Sequence, residues 1–177
     1  GEPLLARRAV SKEVGDKILK IVDDMELRAK SLGCDMRKGQ PTPGNIEGGL
    51  SSIEEKSLGA IMKSGSKPIQ GVLGYTERVT NQKGLWIKDT PGREILTGMA
   101  ATGAQVMMFS TGRGAPQGFP SMPVIKICGN PNTYQRMEED MDINAGRIIT
   151  GEKTIEEVGE EAFAKLIRTL SGEMTKN

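Results

Sequence analysis

The segment "AQVMMFSTGRGAPQGFPSMPVIKICG" (residues 104–129) places a loop rich in glycine and proline between two apolar runs. The runs "AQVMMF" and "MPVIKICG" have the length and continuous apolar character of strands that are buried on both faces. The part "FSTGRGAPQGFP" (109–120) contains three glycines, two prolines and one arginine. Glycine loses the most conformational freedom on folding, so this loop is costly to order and we expect it to have a use.

Strand and helix patterns alternate on both sides of this segment. An apolar stripe at helical spacing predicts a helix over 11–32, with Ser11 as N-cap and Gly33 after its end. Capping-box pairs predict helices after Ser52, with Glu55, and after Thr154, with Glu157. Further buried strands are predicted at 68–75 and 84–90, and further helix starts at Thr90-Pro91 and Asn130-Pro131.

This alternation predicts an α/β fold: a three-layer, Rossmann-like arrangement with one mostly parallel sheet and helices on both faces. We expect an N-terminal linker helix over 1–40 and an α/β domain over 41–177. Residues 34–51 contain "PTPGN" and are expected to form a long loop without regular structure. In such sheets ligands bind beyond the carboxyl ends of the strands, where the loop after residue 109 is placed.

Composition argues against several functional classes. The net charge is +1 and only 3% of residues are aromatic, which disfavours nucleic-acid binding. No apolar run has the length of a membrane span and no signal-peptide pattern is present at the N-terminus, so a cytoplasmic protein without membrane contact is expected.

The chain contains no histidine, which removes the commonest general base and the commonest transition-metal ligand. Cys34 and Cys128 are expected to be free thiols, with Cys128 a small buried group. The acidic cluster contains Glu138, Glu139, Asp140 and Asp142. Glu138 and Glu139 are expected to lie on a solvated face, while a role for Asp142 is left open.

The loop motif "STGRG" predicts an anion clamp. Ser110 and Thr111 offer hydroxyls, Gly112 and Gly114 let backbone amides approach a ligand, and the Arg113 guanidinium suits a carboxylate or phosphate. The alternative is a tight turn in which Arg113 pairs with a surface acid.

A second polar segment, "PGNIEGGLSSIEEK" (43–56), contains Asn45 and a helix start that could face an anion. Helix capping accounts for a glutamate at position 55, and the helix dipole accounts for one at position 54, so neither carboxylate needs a catalytic role. Lys56 is expected to be a solvated side chain and not a base. Only burial would lower the pKa of its ammonium toward the range in which a base works. Asn130 is expected to cap a helix.

The segments "PTPGNIEGGLSSIEEKSLG", "VMMFSTGRGAPQGFPSMPVIKICGN" and "MDINAGRIITG" together resemble the C-terminal portion of the altronate/galactarate dehydratase family. That family also contains the large subunit of sulfolactate sulfo-lyase, and "TGRGAP" is closer to the sugar-acid dehydratases. The resemblance implies a hydro-lyase that converts a sugar acid to a 2-keto-3-deoxy acid with the help of Fe²⁺ or Mn²⁺. Full-length members are longer, so it also implies a fragment that lacks an N-terminal and a middle domain, supplies no metal ligands and is inactive alone.

For the site, the resemblance implies that Arg113, the Thr111 hydroxyl and the amides around Gly112 and Gly114 fix the substrate carboxylate. Asn45 would bind substrate hydroxyls, and Lys56 would transfer a proton or stabilise charge. Ser110 and Asn130 complete the expected substrate-binding set, and a homo-oligomer is expected. Alternatives are a non-catalytic scaffold or oligomerisation domain of the same enzyme, a sulfo-lyase fragment and, last, a mononucleotide-binding module, for which the phosphate-loop motifs are absent.

Overall fold

The computed structural model describes residues 1–35, 39–79, 82–90 and 94–176. The chain divides into two compact units, Gly1–Thr90 and Pro91–Asn177. The predicted division into 1–40 and 41–177 stays a prediction. Among the described residues, no helix combines the length and the apolar character needed to cross a membrane.

The first unit contains four helices and two strands in its described part. The Ser11 hydroxyl caps the long helix by accepting from the Val14 amide, and Gly33 follows its end at φ 72°. The predicted helix over 11–32 is thereby confirmed. The elements are α1 (Glu2–Ala6), α2 (Lys12–Ser31), α3 (Pro43–Glu47), α4 (Ile53–Met62), β1 (Ile69–Leu73) and β2 (Leu85–Lys88).

Helix α3 corrects the prediction that residues 34–51 form a loop without regular structure. The Thr42 hydroxyl accepts from the Asn45 amide, the Asn45 side chain bonds the Thr42 amide in return, and Pro43 occupies the first turn. Proline at this position loses no helical hydrogen bond, so "TP" begins a helix here instead of preventing one.

The predicted capping box at α4 is half right. The Ser52 hydroxyl accepts from the Glu55 amide at 3.1 Å, as predicted. The Glu55 carboxylate, however, accepts from the backbone amide and the hydroxyl of Ser51, one residue earlier than the box requires. The side chain reaches past the N-cap because the Ser51 hydroxyl offers a second donor there.

Strands β1 and β2 pair in parallel, with Val72 opposite Ile87. β1 is alternately buried and half-buried, as expected for a strand that packs on one face. All four residues of β2 are only half-buried, so the prediction of a fully buried second strand is wrong. Among the described residues β2 has one strand neighbour, β1, in a two-stranded sheet.

The second unit is built on a three-stranded parallel sheet in the order β3-β4-β5. The predicted strands on both sides of the glycine-rich loop are confirmed as β3 and β4. The elements in the described part are α5 (Ile95–Thr102), β3 (Met107–Thr111), β4 (Val124–Cys128), α6 (Pro131–Arg136), β5 (Ile143–Asn144), α7 (Gly146–Ile149) and α8 (Ile155–Leu170).

Successive residues of β4 serve two different cores because strand side chains alternate between faces. Val124 joins a cluster with Leu96 of α5, and Ile125 joins a cluster with Val158 of α8. The α/β class is confirmed. The strands of the described residues form two small sheets, so the three-layer, Rossmann-like arrangement around one sheet stays a prediction.

Helix starts in this unit follow the sequence signals closely. The Asn130 side chain accepts from the Thr133 amide, and Thr154 and Glu157 form a reciprocal capping box, both as predicted. The predicted start at Thr90-Pro91 involves Pro91, which lies outside the described residues. In the described part α5 begins at Ile95, and the Glu94 side chain at its N-cap makes no capping hydrogen bond.

Candidate functional site

The structure joins two of the predicted site residues within the first unit. The Lys56 ammonium donates to Asn45 Oδ1 at 2.9 Å and also to Gln40 Oε1. Lys56 lies in the first turn of α4 and is half-buried, and Asn45 lies in α3. Sequence reasoning missed Gln40, whose signal was its place two residues before the Thr42 cap of α3.

The Asn45 side chain also has a structural task. Its Oδ1 accepts from the Thr42 amide at 3.2 Å and from the Thr42 hydroxyl at 2.9 Å. The same oxygen therefore closes the first turn of α3 and holds the Lys56 ammonium. This double use fixes the distance between the start of α3 and the first turn of α4.

Glu55 acts as a capping group, as expected from the sequence. The Ser51 hydroxyl and then the Ser51 backbone amide lower the pKa of the Glu55 carboxyl by hydrogen bonding to its charged form. An ionised carboxylate at the start of a helix also suits the positive end of the helix dipole. This capping role is sufficient to explain a glutamate at position 55, and no catalytic role needs to be assigned to it.

In the second unit Gly112, Arg113 and Gly114 of the "STGRG" motif follow the carboxyl end of β3, so the loop begins later than the predicted start at residue 109. Ser110 and Thr111 are the last residues of β3, and the Thr111 carbonyl accepts from the Gly129 amide at 2.9 Å. Because a parallel neighbour requires the chain to return the full length of the strand, the connection through 112–123 also has a structural reason for its length.

Gly114 fixes the course of this loop. It has a φ of +81°, and a Cβ there would meet Thr133 Cγ2 at 3.0 Å, Cys128 Sγ at 3.1 Å and Met141 Cε at 3.3 Å. A side chain at this position would meet both steric crowding and a disfavoured backbone conformation. The loop is therefore packed against the carboxyl end of β4.

The polar groups of the loop differ in exposure. Arg113 is exposed, and none of the described residues binds its guanidinium by a hydrogen bond or an ion pair. Thr111 Oγ1 is buried and has no hydrogen-bond partner among them. The clamp formed by Ser110, Thr111, Gly112, Arg113 and Gly114 stays a prediction.

Asn130 serves as the N-cap of α6, with its Oδ1 2.9 Å from the Thr133 amide nitrogen. Cys128 is fully buried, its thiol lies 3.3 Å from the Asn130 carbonyl, and both cysteines are free thiols, as predicted. A substrate-binding role for Asn130 stays a prediction.

The acidic segment divides as its residues suggested. Glu138 and Glu139 are exposed, which confirms the expected solvated face. The Asp142 carboxylate is fully buried between Lys126, at 3.7 Å, and Lys165, at 3.6 Å. Asp142 therefore belongs to an internal ion-pair network.

Elsewhere among the described residues, each unit contains a cavity of about 480 Å³. The first is lined by α2 and α4 residues that include Met25, Ile53 and Ser57. The second includes Asn144, Arg147 and Lys165. None of the predicted site residues lines either cavity.

The described part of the chain offers no cluster of metal ligands. No three histidine, cysteine, aspartate or glutamate side chains there are arranged so that they could hold a metal ion. The described residues therefore do not fit the Fe²⁺ or Mn²⁺ that the family resemblance implies.

These features define an α/β protein with small parallel sheets, a polar contact between α3 and α4, and a glycine-rich loop after β3. The family model described as "D-galactarate/Altronate dehydratase, C-terminal" matches residues 1–177. The chain belongs to this family.

Several characterised proteins are similar to the chain. It is 42% identical to galactarate dehydratase (L-threo-forming) of Escherichia coli K12, over 96% of this chain and 32% of that protein. It is 37% identical to (2R)-sulfolactate sulfo-lyase subunit beta of Chromohalobacter salexigens, over 99% of this chain and 46% of that protein. It is 33% identical to altronate dehydratase of Bacillus subtilis, over 99% of this chain and 35% of that protein. The chain thus spans less than half the length of each of these relatives.

Proposed function

We propose that this chain is the C-terminal portion of a hydro-lyase that removes water from a sugar acid of the galactarate or altronate type. The product would be a 2-keto-3-deoxy acid. The observation that carries this proposal is the family match over residues 1–177, since relatives in this family are named as dehydratases and a sulfo-lyase.

The reaction sets clear requirements for a site. A proton is removed from the carbon beside the carboxylate, the resulting enediolate is stabilised, and the β-hydroxyl leaves as water. The enol then takes up a proton to give the 2-keto acid. Groups that hold the carboxylate and stabilise its growing negative charge would lower the barrier most directly.

The loop after β3 is proposed as the carboxylate clamp. Two observations support it: the Arg113 guanidinium is exposed with no ion-pair partner among the described residues, and the buried Thr111 hydroxyl lacks a partner in that same part of the chain. An arginine fork can bind a carboxylate through two parallel hydrogen bonds. The amides around Gly112 and Gly114 would add neutral donors.

In the first unit, Asn45 is proposed to bind substrate hydroxyls and Lys56 to transfer a proton or stabilise charge. Their contact at 2.9 Å supports treating them as one group. Fe²⁺ or Mn²⁺ would supply Lewis-acid stabilisation of the enediolate. Because the described residues provide no ligand set, we assign no step of the reaction through the metal.

A second candidate is a scaffold role within the same enzyme. It is favoured by the apolar residues that α8 leaves exposed: Ile155 at 70%, Phe163 at 64% and Leu170 at 55%. Apolar groups on one helix face commonly mark a surface that another protein segment covers. The catalytic role and the scaffold role are compatible. They differ in whether the loss of Arg113 should lower turnover or should change only assembly and stability.

The decisive assay uses the full-length gene product that contains this chain, with a panel of hexarates and hexonates and added Fe²⁺ or Mn²⁺. Arg113→Ala should lower turnover by orders of magnitude without loss of folding, while the exposed Arg136→Ala should retain turnover. If Arg113→Ala changes only assembly or stability, the scaffold role is correct. If no sugar acid is dehydrated by the unaltered enzyme, the proposed activity is wrong.

A further inference from the structure

Gln40, Asn45 and Lys56 form a cluster in which both side-chain amide oxygens accept a hydrogen bond from the Lys56 ammonium. We call it the amide-lysine cluster. Gln40 Oε1 accepts from the Lys56 ammonium, and Asn45 Oδ1 accepts from the same ammonium and from Thr42. A lysine ammonium has no acceptor of its own. Apart from one lone pair on Gln40 Oε1, the groups that remain for a ligand are therefore donors.

The free donors can be counted. An ammonium has three N–H donors and each amide nitrogen has two. Two ammonium donors of Lys56 are used, by Gln40 and Asn45. The third, and the side-chain nitrogens of both amides, make no hydrogen bond within 1–35, 39–79, 82–90 and 94–176.

The charge of this cluster is also unbalanced. Lys12, Lys20 and Lys30 each contact a carboxylate one helical turn away, at 2.6 to 3.0 Å. Lys56 instead contacts two neutral amides, and no carboxylate of the described residues forms an ion pair with it. Its positive charge is thus held in a half-buried position without a neutralising carboxylate from the part of the chain that the structure describes.

We propose that the amide-lysine cluster binds a carboxylate of an acidic ligand, with Lys56 as a fixed positive charge and Gln40 as a positioning residue. This inference rests on the proposed function, which it deepens by assigning Lys56 the charge-stabilising role and giving it no role as a base. Two amide oxygens hold the ammonium in place, so little side-chain freedom is lost when an anion binds. An excess of free donors over free acceptors favours a ligand rich in acceptors, and the net positive charge of the ammonium favours a negative ligand.

The test is a titration of the 177-residue chain with galactarate and with galactitol, which has the same carbon skeleton and hydroxyls but no carboxylates. The side-chain amide signals in a ¹⁵N correlation spectrum report on Gln40 and Asn45 directly, and loss of a signal in Gln40→Glu assigns it. Galactarate should bind more tightly than galactitol, should shift these signals, and should bind more weakly as salt is added.

Two variants and a control isolate the cluster. Lys56→Gln removes the charge, and Gln40→Glu adds a carboxylate that neutralises it. Each should weaken galactarate binding by about tenfold or more and leave galactitol binding unchanged. Lys63→Gln removes a charge one residue beyond the end of α4 and should change binding by less than about twofold. Circular dichroism should show that all three variants remain folded.

Equal affinity for galactarate and galactitol, or equal galactarate affinity in wild type and Lys56→Gln, would overturn the inference. Failure of the proposed function gives a different pattern: Lys56-dependent galactarate binding by the chain, but no sugar-acid turnover by the full-length enzyme. Conversely, turnover with unchanged kcat and KM in Lys56→Gln would retain the lyase and reject the cluster.

Discussion

The fully buried Asp142 carboxylate accepts a hydrogen bond from the Lys126 backbone amide at 2.8 Å and lies 3.7 Å from the ammonium of the same residue. Its other oxygen accepts from the Lys176 amide at 3.0 Å. The Lys126 ammonium in turn donates to the Lys176 carbonyl. One buried ion pair therefore holds the C-terminal segment against the three-stranded sheet.

Asp142→Ala should destabilise the chain strongly, because it leaves the Lys126 ammonium buried without its anionic partner. Removing one member of a buried pair typically costs about 3–5 kcal/mol. The measurement is urea unfolding followed by circular dichroism. Glu139→Ala, which removes an exposed acid three residues earlier, should change the unfolding free energy by less than about 0.5 kcal/mol. Equal stability of the two variants would contradict the assigned role of Asp142.

Gly114→Ala should displace the loop after β3. At φ +81° an alanine is strained, and its methyl group would lie 3.0 Å from Thr133 Cγ2. A cost of about 1–3 kcal/mol in thermal or urea unfolding is expected. Gly118→Ala is the matched control, because a Cβ there has no neighbour within 4 Å and its backbone is not in the left-handed region. A Gly114→Ala variant as stable as Gly118→Ala would show that the loop is not held in this conformation.

Local signals predicted the helix starts well, because a cap is decided by residues three positions apart. Thr154 with Glu157 and Asn130 with Thr133 form the expected caps. The short helix α3 carried the same threonine-proline signal at Thr42-Pro43, but the many glycines and prolines around it favoured a loop interpretation. The helix-start signal at Thr42-Pro43 was therefore present, but the high glycine and proline content of the segment led to the wrong prediction of a loop.

The contact between Asn45 and Lys56 could not be predicted from spacing. These residues are separated by the end of α3 and the start of α4, so their distance depends on how the two helices are oriented. For the same reason the sequence predicted parallel strands but not their division into two sheets, since strand partners are set by contacts between distant residues. The position of the glycine-rich loop after β3 could be predicted from one segment, whereas the contact that joins α3 and α4 could not.

Glu161 should make stability depend on pH. Hydrogen bonds from Lys153 and then Arg147, together with the charges of both, lower the pKa of the Glu161 carboxyl despite the opposing effect of burial. A carboxyl whose pKa is lower in the folded state stabilises the fold above its unfolded pKa, and that stability is lost as the pH falls through the folded pKa.

Glu161→Gln should therefore lower the free energy of unfolding at pH 7 by less than about 1 kcal/mol, since the three side chains remain partly exposed. The difference from wild type should shrink as the pH falls below about 4.3, the usual glutamate pKa. Urea unfolding over a pH series measures it. Glu160→Gln, at an exposed neighbouring position that forms no ion pair with the described residues, should show no such trend. A difference that is constant with pH would contradict the ion-pair explanation.

Thr111→Val tests whether the loop after β3 binds a ligand. Thr111 Oγ1 is buried without a partner in the described part of the chain, so replacing the hydroxyl by a methyl group of similar size should stabilise the isolated chain or leave it unchanged. If the hydroxyl instead contacts a bound carboxylate, the same change should raise KM or lower kcat in the full-length enzyme, by about 10- to 150-fold for one hydrogen bond to a charged group. Thermal unfolding of the chain and steady-state kinetics of the full-length enzyme give the two readouts.

Thr133→Val, in the adjacent α6, controls for the loss of a hydroxyl near the same strand ends. Unchanged kinetics in Thr111→Val would remove this residue from the clamp, because a stabilised fold without a catalytic cost leaves the hydroxyl no substrate contact.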